Sequence, residues 1–86
     1  MSADASAYQE LVDWLTTKVA GYVDIPSGAI GIDIPLADCG IDSVSGLELC
    51  ADLQCEKGFD VDTTIVWDYP TIDAIATYLV AERAAP

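Results

Sequence analysis

The sequence contains no histidine and only three basic residues, Lys18, Lys57 and Arg83, against 15 acidic ones, so its net charge is −12. Without histidine, neither a Ser-His-Asp nor a Cys-His catalytic arrangement can form, and the commonest zinc ligand is absent. Three basic residues cannot form the cationic stripe that neutralises nucleic-acid phosphates, and an anionic membrane surface would repel the chain. We therefore expect no nucleic-acid partner and no membrane partner.

Long apolar runs are missing as well. The longest is a few residues, far below the roughly 20 that a membrane-spanning helix needs. Residues 1–20 also lack the basic region and apolar stretch of a signal peptide. The cysteines are odd in number and form no CxxC pair, which predicts free thiols in a reducing compartment and small hydrophobic roles for Cys39, Cys50 and Cys55. We expect a monomeric, cytoplasmic domain.

The acidic residues do not predict a metal site. Asp60-Val61-Asp62 begins like a calcium-binding EF-hand loop, but Ile65 stands where the sixth position requires glycine, and Thr71 stands at the twelfth. We expect most of the carboxylates to solvate the surface.

The composition is that of a single globular domain, with 86 residues, 52% hydrophobic and 21% charged. Residues 1–5 show no periodicity and are expected to be a flexible N-terminus. The domain is expected to span residues 6–83, followed by a tail at residues 84–86.

Apolar residues spaced three and four apart predict a first helix, with a capping box of Ser6 and Gln9 at its start and Gly21 and Pro26 at its end; its stripe comprises Tyr8, Leu11, Val12, Leu15, Val19 and Tyr22. A long connection follows over residues 24–42. It is too rich in isoleucine and leucine for a solvated loop, so we expect an ordered crossover with a helical turn near Leu36–Cys39.

A second helix is predicted from Ser43, as its N-cap, to about Lys57, with Gly58 as the stop. One stripe of this helix is the expected core face, formed by Gly46, Leu49, Cys50 and Leu53. A second apolar stripe is a candidate docking surface; it comprises Val44, Leu47 and Ala51, flanked by Glu48 and Asp52. Glycine inside a helix costs roughly 1 kcal/mol relative to alanine. We therefore expect Gly46 either to loosen the helix or to make room for a cargo or a partner backbone.

Residues 62–67 predict a short third helix, because the chain offers no second strand-like run with which they could pair. Thr71 is expected to cap the last helix, which ends near Arg83 and has its apolar stripe at Ile72, Ile75, Ala76, Leu79 and Val80. The predicted fold is an all-α four-helix bundle with a long loop between helices one and two and a short third helix.

The segment Leu36-Ala37-Asp38-Cys39-Gly40-Ile41-Asp42-Ser43-Val44 resembles the Leu-x-x-Leu-Gly-x-Asp-Ser-Leu signature of acyl carrier proteins and of the carrier domains of polyketide and nonribosomal peptide synthesis. Leu47-Glu48-Leu49 continues the signature, and Trp67-Asp68-Tyr69-Pro70-Thr71 resembles the Phe-Asp-Tyr-Pro-Thr box of polyketide-type carriers. The resemblance covers roughly residues 8–80. Cys39 and Val44 replace leucines of the pattern, and Trp67 replaces phenylalanine.

The resemblance implies that a phosphopantetheinyl transferase esterifies Ser43 with 4′-phosphopantetheine from coenzyme A, and that Asp42 is part of this site. The arm's thiol would then carry acyl groups as thioesters between enzymes such as a ketosynthase, an acyltransferase or an acyl- or aminoacyl-adenylating enzyme. Partners would bind the stripe of Val44, Leu47 and Ala51 with its acidic neighbours. The chain itself would catalyse nothing. Because residues 1–4 read as a natural start, we expect a free-standing carrier rather than a domain excised from a synthase.

Three alternatives compete with this interpretation. A peptidyl carrier would hold an aminoacyl group loaded by an adenylating enzyme, but such carriers often have Gly-Gly-x-Ser where this chain has Gly40-Ile41-Asp42-Ser43. An unmodified acidic interaction adaptor would not need the exposed serine. An enzyme with Ser43 as nucleophile would have only Lys18 and Lys57 as candidate bases, and we do not expect one.

Overall fold

The computed structural model describes the backbone of residues 3–84 and the side chains of residues 6–82. Over that range the chain is helical and contains no strand. Four α-helices follow one another in the order α1 (Ala3–Val23), α2 (Ser43–Asp52), α3 (Ile65–Asp68) and α4 (Ile72–Ala84). The predicted all-α architecture with a short third helix is confirmed, and none of these helices combines the length and apolarity needed to cross a bilayer.

Helix α1 begins at Ala3, three residues before the predicted start. Ser6 and Gln9 lie inside the helix, and the Gln9 Nε2 donates a hydrogen bond to Asp13 Oδ1 at 3.0 Å instead of closing a capping box. Alanine is the strongest helix former and an acidic residue favours a first turn, so the segment Ala3-Asp4-Ala5 extends the helix. Residues 1, 2, 85 and 86 of the expected flexible ends lie outside the described residues.

The core is formed by the stripes that the spacing predicts on α1, α2 and α4. Its fully buried side chains include Leu11, Leu15, Val19, Leu49, Leu53, Ile72, Ile75 and Leu79. Tyr8 and Tyr22, at the two ends of the α1 stripe, are half-buried, and their hydroxyls donate hydrogen bonds to Asp73 and Asp52. The Thr71 hydroxyl accepts a hydrogen bond from the Ala74 amide at 3.0 Å, which confirms the predicted cap of α4.

The long connection between α1 and α2 is ordered by core contacts and by hydrogen bonds to the α3–α4 link. It contains two 3₁₀ turns, Ser27–Ala29 and Leu36–Cys39, and the second is the predicted helical turn. The Leu36 amide donates to the Pro70 carbonyl at 2.8 Å, and the Asp73 amide donates to the Ile32 carbonyl at 2.9 Å. The apolar residues of this connection divide into buried ones, Ile30, Leu36 and Ile41, and exposed ones, Ile25, Ile32 and Ile34.

Helix α2 ends at Asp52, and a π-helical turn over Leu53–Lys57 replaces the continuous helix that the sequence predicts. The Leu53 carbonyl accepts hydrogen bonds from the amides of both Gly58 and Phe59. The Gly58 donor lies one residue further along the chain than the donor of an α-helical bond, and the Phe59 donor lies one residue further than the donor of a Schellman motif. Gly58 has φ +74° and terminates the turn, as predicted.

Gly46 allows α2 and α3 to approach closely. A Cβ atom at Gly46 would lie 2.9 Å from Val66 Cγ2, closer than packed carbon atoms approach. The expectation that Gly46 makes room for a cargo or a partner is therefore wrong, because Val66 of α3 occupies that space.

We expect Gly46→Ala to lower the free energy of unfolding by about 1–3 kcal/mol, because the added methyl overpacks against Val66 by more than the gain in helix propensity offsets. The measurement is urea unfolding followed by circular dichroism. The matched control is Gly21→Ala in α1, where a Cβ meets nothing within 4 Å. That substitution should stabilise by up to about 1 kcal/mol. Equal stabilisation by both substitutions would contradict the close approach of α2 and α3.

Candidate functional site

Ser43 is the first residue of α2, and its side chain is exposed. The N-cap is Asp42, with extended backbone angles of φ −110° and ψ −172°, and its Oδ1 accepts a hydrogen bond from the Ser45 amide at 2.9 Å. The prediction that Ser43 caps the helix is therefore wrong, since the preceding carboxylate takes that role. Among the described residues the Ser43 hydroxyl has no hydrogen-bond partner, so it is available to a group from outside the chain.

The Asp42 carboxylate lies at the positive end of the α2 dipole. The hydrogen bond from the Ser45 amide, followed by one from the Ser45 hydroxyl and smaller contributions from the amides of Asp42 and Val44, lowers the pKa of Asp42 below its ordinary value of 3.8. Asp42 is therefore ionised at neutral pH and adds a negative charge directly beside Ser43.

Gly40 and Ile41, which precede Asp42, determine where the exposed pair of Asp42 and Ser43 begins. Gly40 has φ +105°, a left-handed conformation that L side chains rarely adopt, and its amide donates to the Ala37 carbonyl at 3.2 Å. Ile41 is buried, and its amide donates to the Leu36 carbonyl at 3.1 Å. The turn thus fixes one hydrophobic residue in the core and leaves Asp42 and Ser43 at the surface.

The second stripe of α2 is exposed, as the sequence predicts for a docking surface. Val44 and Leu47 keep 65% and 52% of their surface accessible, and Glu48 and Ala51 are exposed beside them. Single exposed apolar residues need no explanation, but two on the first turns of a helix beside an exposed serine form a small apolar contact area. We call Val44, Leu47, Glu48 and Ala51 the α2 face.

Asp52 differs from the other residues assigned to that surface, because it is half-buried and contacts α1. Its carboxylate accepts a hydrogen bond from the Tyr22 hydroxyl, and Lys18 Nζ lies 3.7 Å from Asp52 Oδ2. Burial, followed by the hydrogen bond to Asp52, raises the pKa of Tyr22. Asp52 therefore connects α1 to the end of α2.

Trp67 is a candidate contact residue that the sequence analysis did not assign to the site. The indole is 51% exposed on α3, directly after the Val66 that packs against Gly46. In this four-residue helix Ile65 and Val66 are buried, so the next two residues must face solvent. In the sequence, Ile65, Val66 and Trp67 form one apolar run, so no signal there distinguished the exposed Trp67 from its buried neighbours.

The cysteines lie in three different environments. Cys50 is buried and its Sγ donates to the Asp62 carbonyl at 3.4 Å; burial raises the pKa of this thiol. Cys39 is half-buried, whereas Cys55 is exposed on the π-helical turn. The predicted role as a small hydrophobe therefore fails for Cys55. Among the described residues, no group of three cysteine, aspartate or glutamate side chains could hold a metal ion.

Comparison with known proteins gives a family match over most of the chain. Residues 13–79 match the family described as the phosphopantetheine attachment site. The polyketide synthase PksL of Bacillus subtilis is 31% identical over 75 residues, which are 87% of this chain and 2% of that protein. The chain thus spans only a few per cent of the length of the curated relatives that it matches.

Two solved structures have the same fold. A free-standing peptidyl carrier protein from an uncharacterised secondary metabolic pathway of Acinetobacter baumannii matches with a TM-score of 0.85 and 32% identity, covering 88% of this chain and 95% of that one. The acyl carrier protein LipD from Actinoplanes friuliensis matches with a TM-score of 0.73 and 41% identity, covering 99% and 98%.

The chain belongs to the phosphopantetheine-binding carrier family. The predicted family, the carrier role and the covalently attached 4′-phosphopantetheine are confirmed, and the family acts as a non-catalytic tether. The solved relatives include both an acyl and a peptidyl carrier. An exposed serine hydroxyl at the N-terminus of a ten-residue helix fits a phosphate ester, because the N–H groups and the dipole favour negative charge there.

We expect Asp42→Asn to lower the melting temperature at pH 7, because asparagine keeps the cap but loses the charge–dipole attraction. Folding lowers the pKa of Asp42, so the ionised carboxylate stabilises the fold. This stabilisation is complete above about pH 4, the ordinary pKa of the group, and is lost as the pH falls through the pKa of the folded state. Thermal melts from pH 2 to 7 should therefore show the wild type and Asp42→Asn converging at low pH. The control, Asp42→Ala, also loses the cap and should stay less stable throughout. A difference between wild type and Asp42→Asn that persists unchanged at pH 2 would contradict this assignment.

Proposed function

We propose that Ser43 is the attachment residue for 4′-phosphopantetheine and that the domain carries acyl groups as thioesters between enzymes of polyketide or related secondary metabolism. The observation that carries this proposal is the exposed Ser43 hydroxyl at the first position of α2, which has no partner within the described part of the chain because Asp42 takes the cap. Free thiols and the acidic surface favour a monomeric carrier in the cytoplasm.

Attachment needs chemistry that this chain does not supply. Ser43 Oγ attacks the phosphorus that bears the pantetheine in coenzyme A, the bond to 3′,5′-ADP breaks, and a base on the transferase takes the serine proton. The new phosphodiester keeps one negative charge, which the N-terminus of α2 stabilises. The chain has no histidine, so the groups that make and break thioesters belong to the partner enzymes. The domain itself is not an enzyme.

The α2 face, together with the end of the long connection, is proposed as the partner surface. Val44, Leu47 and Ala51 offer a small apolar contact beside Ser43, and Glu48 adds exposed charge. Asp52 contributes less than the sequence suggests, because Tyr22 and Lys18 already engage its carboxylate. A net charge of −12 steers the domain toward basic patches on a phosphopantetheinyl transferase, a ketosynthase, an acyltransferase or an adenylating enzyme.

A peptidyl carrier is the second candidate function, and the fold match to the Acinetobacter baumannii peptidyl carrier favours it. The junction Gly40-Ile41-Asp42-Ser43 and the 41% identity to an acyl carrier favour acyl cargo. Loading the modified protein with an acyltransferase in one reaction and with an adenylating enzyme in another separates the two functions.

Incubation with coenzyme A, magnesium and a broad-specificity phosphopantetheinyl transferase should add the mass of one phosphopantetheine group. Intact-protein mass spectrometry measures the gain, and Ser43→Ala should show none. Ser45→Ala, two residues along the same helix, is the matched control and should gain the full mass. A folded protein that gains no mass with an active transferase would make the unmodified adaptor the better interpretation.

Glu48→Lys should lower kcat/KM of that modification by roughly 3- to 10-fold at low salt, because it reverses a charge on the α2 face. The effect should shrink as salt screens the attraction, while the melting temperature stays near that of wild type. Glu10→Lys makes the same charge change at an exposed position of α1 and is the control. Equal effects of the two variants would show that only net charge matters; unfolding of Glu48→Lys would show that Glu48 is structural.

A further inference from the structure

The space between α2 and α3 beside the attachment residue is filled. Val66 of α3 packs so closely on α2 that a Cβ atom at Gly46 would lie 2.9 Å from Val66 Cγ2. Leu49 of α2 and Ile65 of α3 are buried as well. Because protein interiors are close-packed, a group inserted between these helices has to displace side chains. An acyl group held beside Ser43 therefore meets the outside of the two helices.

A cavity of about 390 Å³ lies at the other end of α2. Its walls are residues 57–61 and the α4 residues Tyr78, Leu79 and Glu82. From Ser43 to residue 57 the chain advances about 20 Å along the helix axis at the usual rise per residue. This cavity therefore does not enclose a group held beside Ser43.

Trp67 is a large aromatic side chain on the outside of α3. Its indole is 51% exposed, and its amide donates to the Thr64 carbonyl at 2.9 Å. Both lysines of the chain lie over the other tryptophan, with the Nζ atoms of Lys18 and Lys57 at 5.4 and 5.8 Å from the ring centroid of Trp14. The indole of Trp67 therefore offers open apolar surface with no lysine on it.

The arm on Ser43 is long enough to bring its acyl group to Trp67. Standard bond lengths along α2 and across the contact of Gly46 with Val66 place the Cα atoms of Ser43 and Trp67 within about 16 Å of each other. The same bond lengths give 4′-phosphopantetheine a reach of about 15 Å from phosphorus to sulfur, to which the serine side chain adds. A short flexible tether holds its end group at an effective concentration on the order of mM, so even a weak contact is populated.

We propose that Trp67 binds the acyl group carried on Ser43 on the outside of the bundle and favours an uncharged aromatic acyl group. The proposal rests on the proposed function. A planar ring stacks on an indole and gains attraction beyond the area that it buries, whereas an aliphatic group gains only apolar contact. Asp68 follows Trp67 and is exposed, so an acyl group with a carboxylate of its own is repelled there.

The test compares two acyl groups of similar size on the same arm. A broad-specificity phosphopantetheinyl transferase transfers the arm from benzoyl- or cyclohexanecarbonyl-coenzyme A to Ser43, and intact mass checks the loading. NMR then measures the upfield shift that the indole ring current gives to the acyl protons, relative to the same group on Trp67→Leu. The shift should be about 2- to 10-fold larger for benzoyl. Trp14→Phe removes the other indole and, as the control, should leave the shift unchanged.

The preference for an uncharged group is tested with a 4-carboxybenzoyl group. It should show a smaller shift than benzoyl and regain part of that shift in Asp68→Asn. A 4-carboxybenzoyl shift as large as that of benzoyl would contradict this preference.

Two results would overturn the contact itself while the gain in mass shows that the carrier is loaded. One is an equal shift for the benzoyl and cyclohexanecarbonyl groups, and the other is an unchanged acyl spectrum in Trp67→Leu. Absence of any mass gain would overturn the proposed function and this proposal together.

Discussion

The hydrogen bond from the Leu36 amide to the Pro70 carbonyl, 2.8 Å long, is the interaction on which the site depends. With the bond from Asp73 to Ile32, it joins the crossover between α1 and α2 to the link between α3 and α4. Because Leu36 is held in the core, the turn that follows can present Gly40 in its left-handed conformation and bury Ile41. The helix then begins directly after Asp42, its N-cap. Proline is a suitable acceptor here, since its lack of an N–H leaves only its carbonyl to be satisfied.

The second constraint is the absence of a side chain at Gly46. A helix of four residues such as α3 cannot persist alone, because the cost of nucleation exceeds what a single turn of hydrogen bonds returns. Burial of Ile65 and Val66 supplies the missing stability, and Val66 can be buried only where α2 lacks a Cβ. Gly46 lowers the helix propensity of α2 slightly, but it allows α3 to pack closely against α2. The packing between the two helices offsets the loss of propensity within one of them.

The helices and their core faces could be predicted from the sequence because apolar spacing records which side of each helix is buried. The second apolar stripe of α2, the candidate docking surface, could be predicted for the same reason: Val44 and Leu47 occupy helical positions that the core does not use. The N-cap could not be assigned from spacing, because aspartate and serine are adjacent and both are good caps. The contacts of Gly46 and Asp52 with α3 and α1 were likewise hidden, because they join segments distant in sequence and depend on the bundle geometry.

The charges are arranged so that this acidic domain has two unlike sides. Lys18 pairs with Asp52 and Glu56, and Lys57 joins it at Trp14, so the two lysine side chains are concentrated where α1 meets the π-helical turn. Among the described side chains, no cation pairs with Asp42 or Glu48 at the beginning of α2. This arrangement supports the proposal that the α2 face is the side to which a basic partner surface is drawn. The apolar area of the α2 face is small. Long-range electrostatic attraction combined with a small apolar contact would allow a carrier to associate quickly and dissociate quickly.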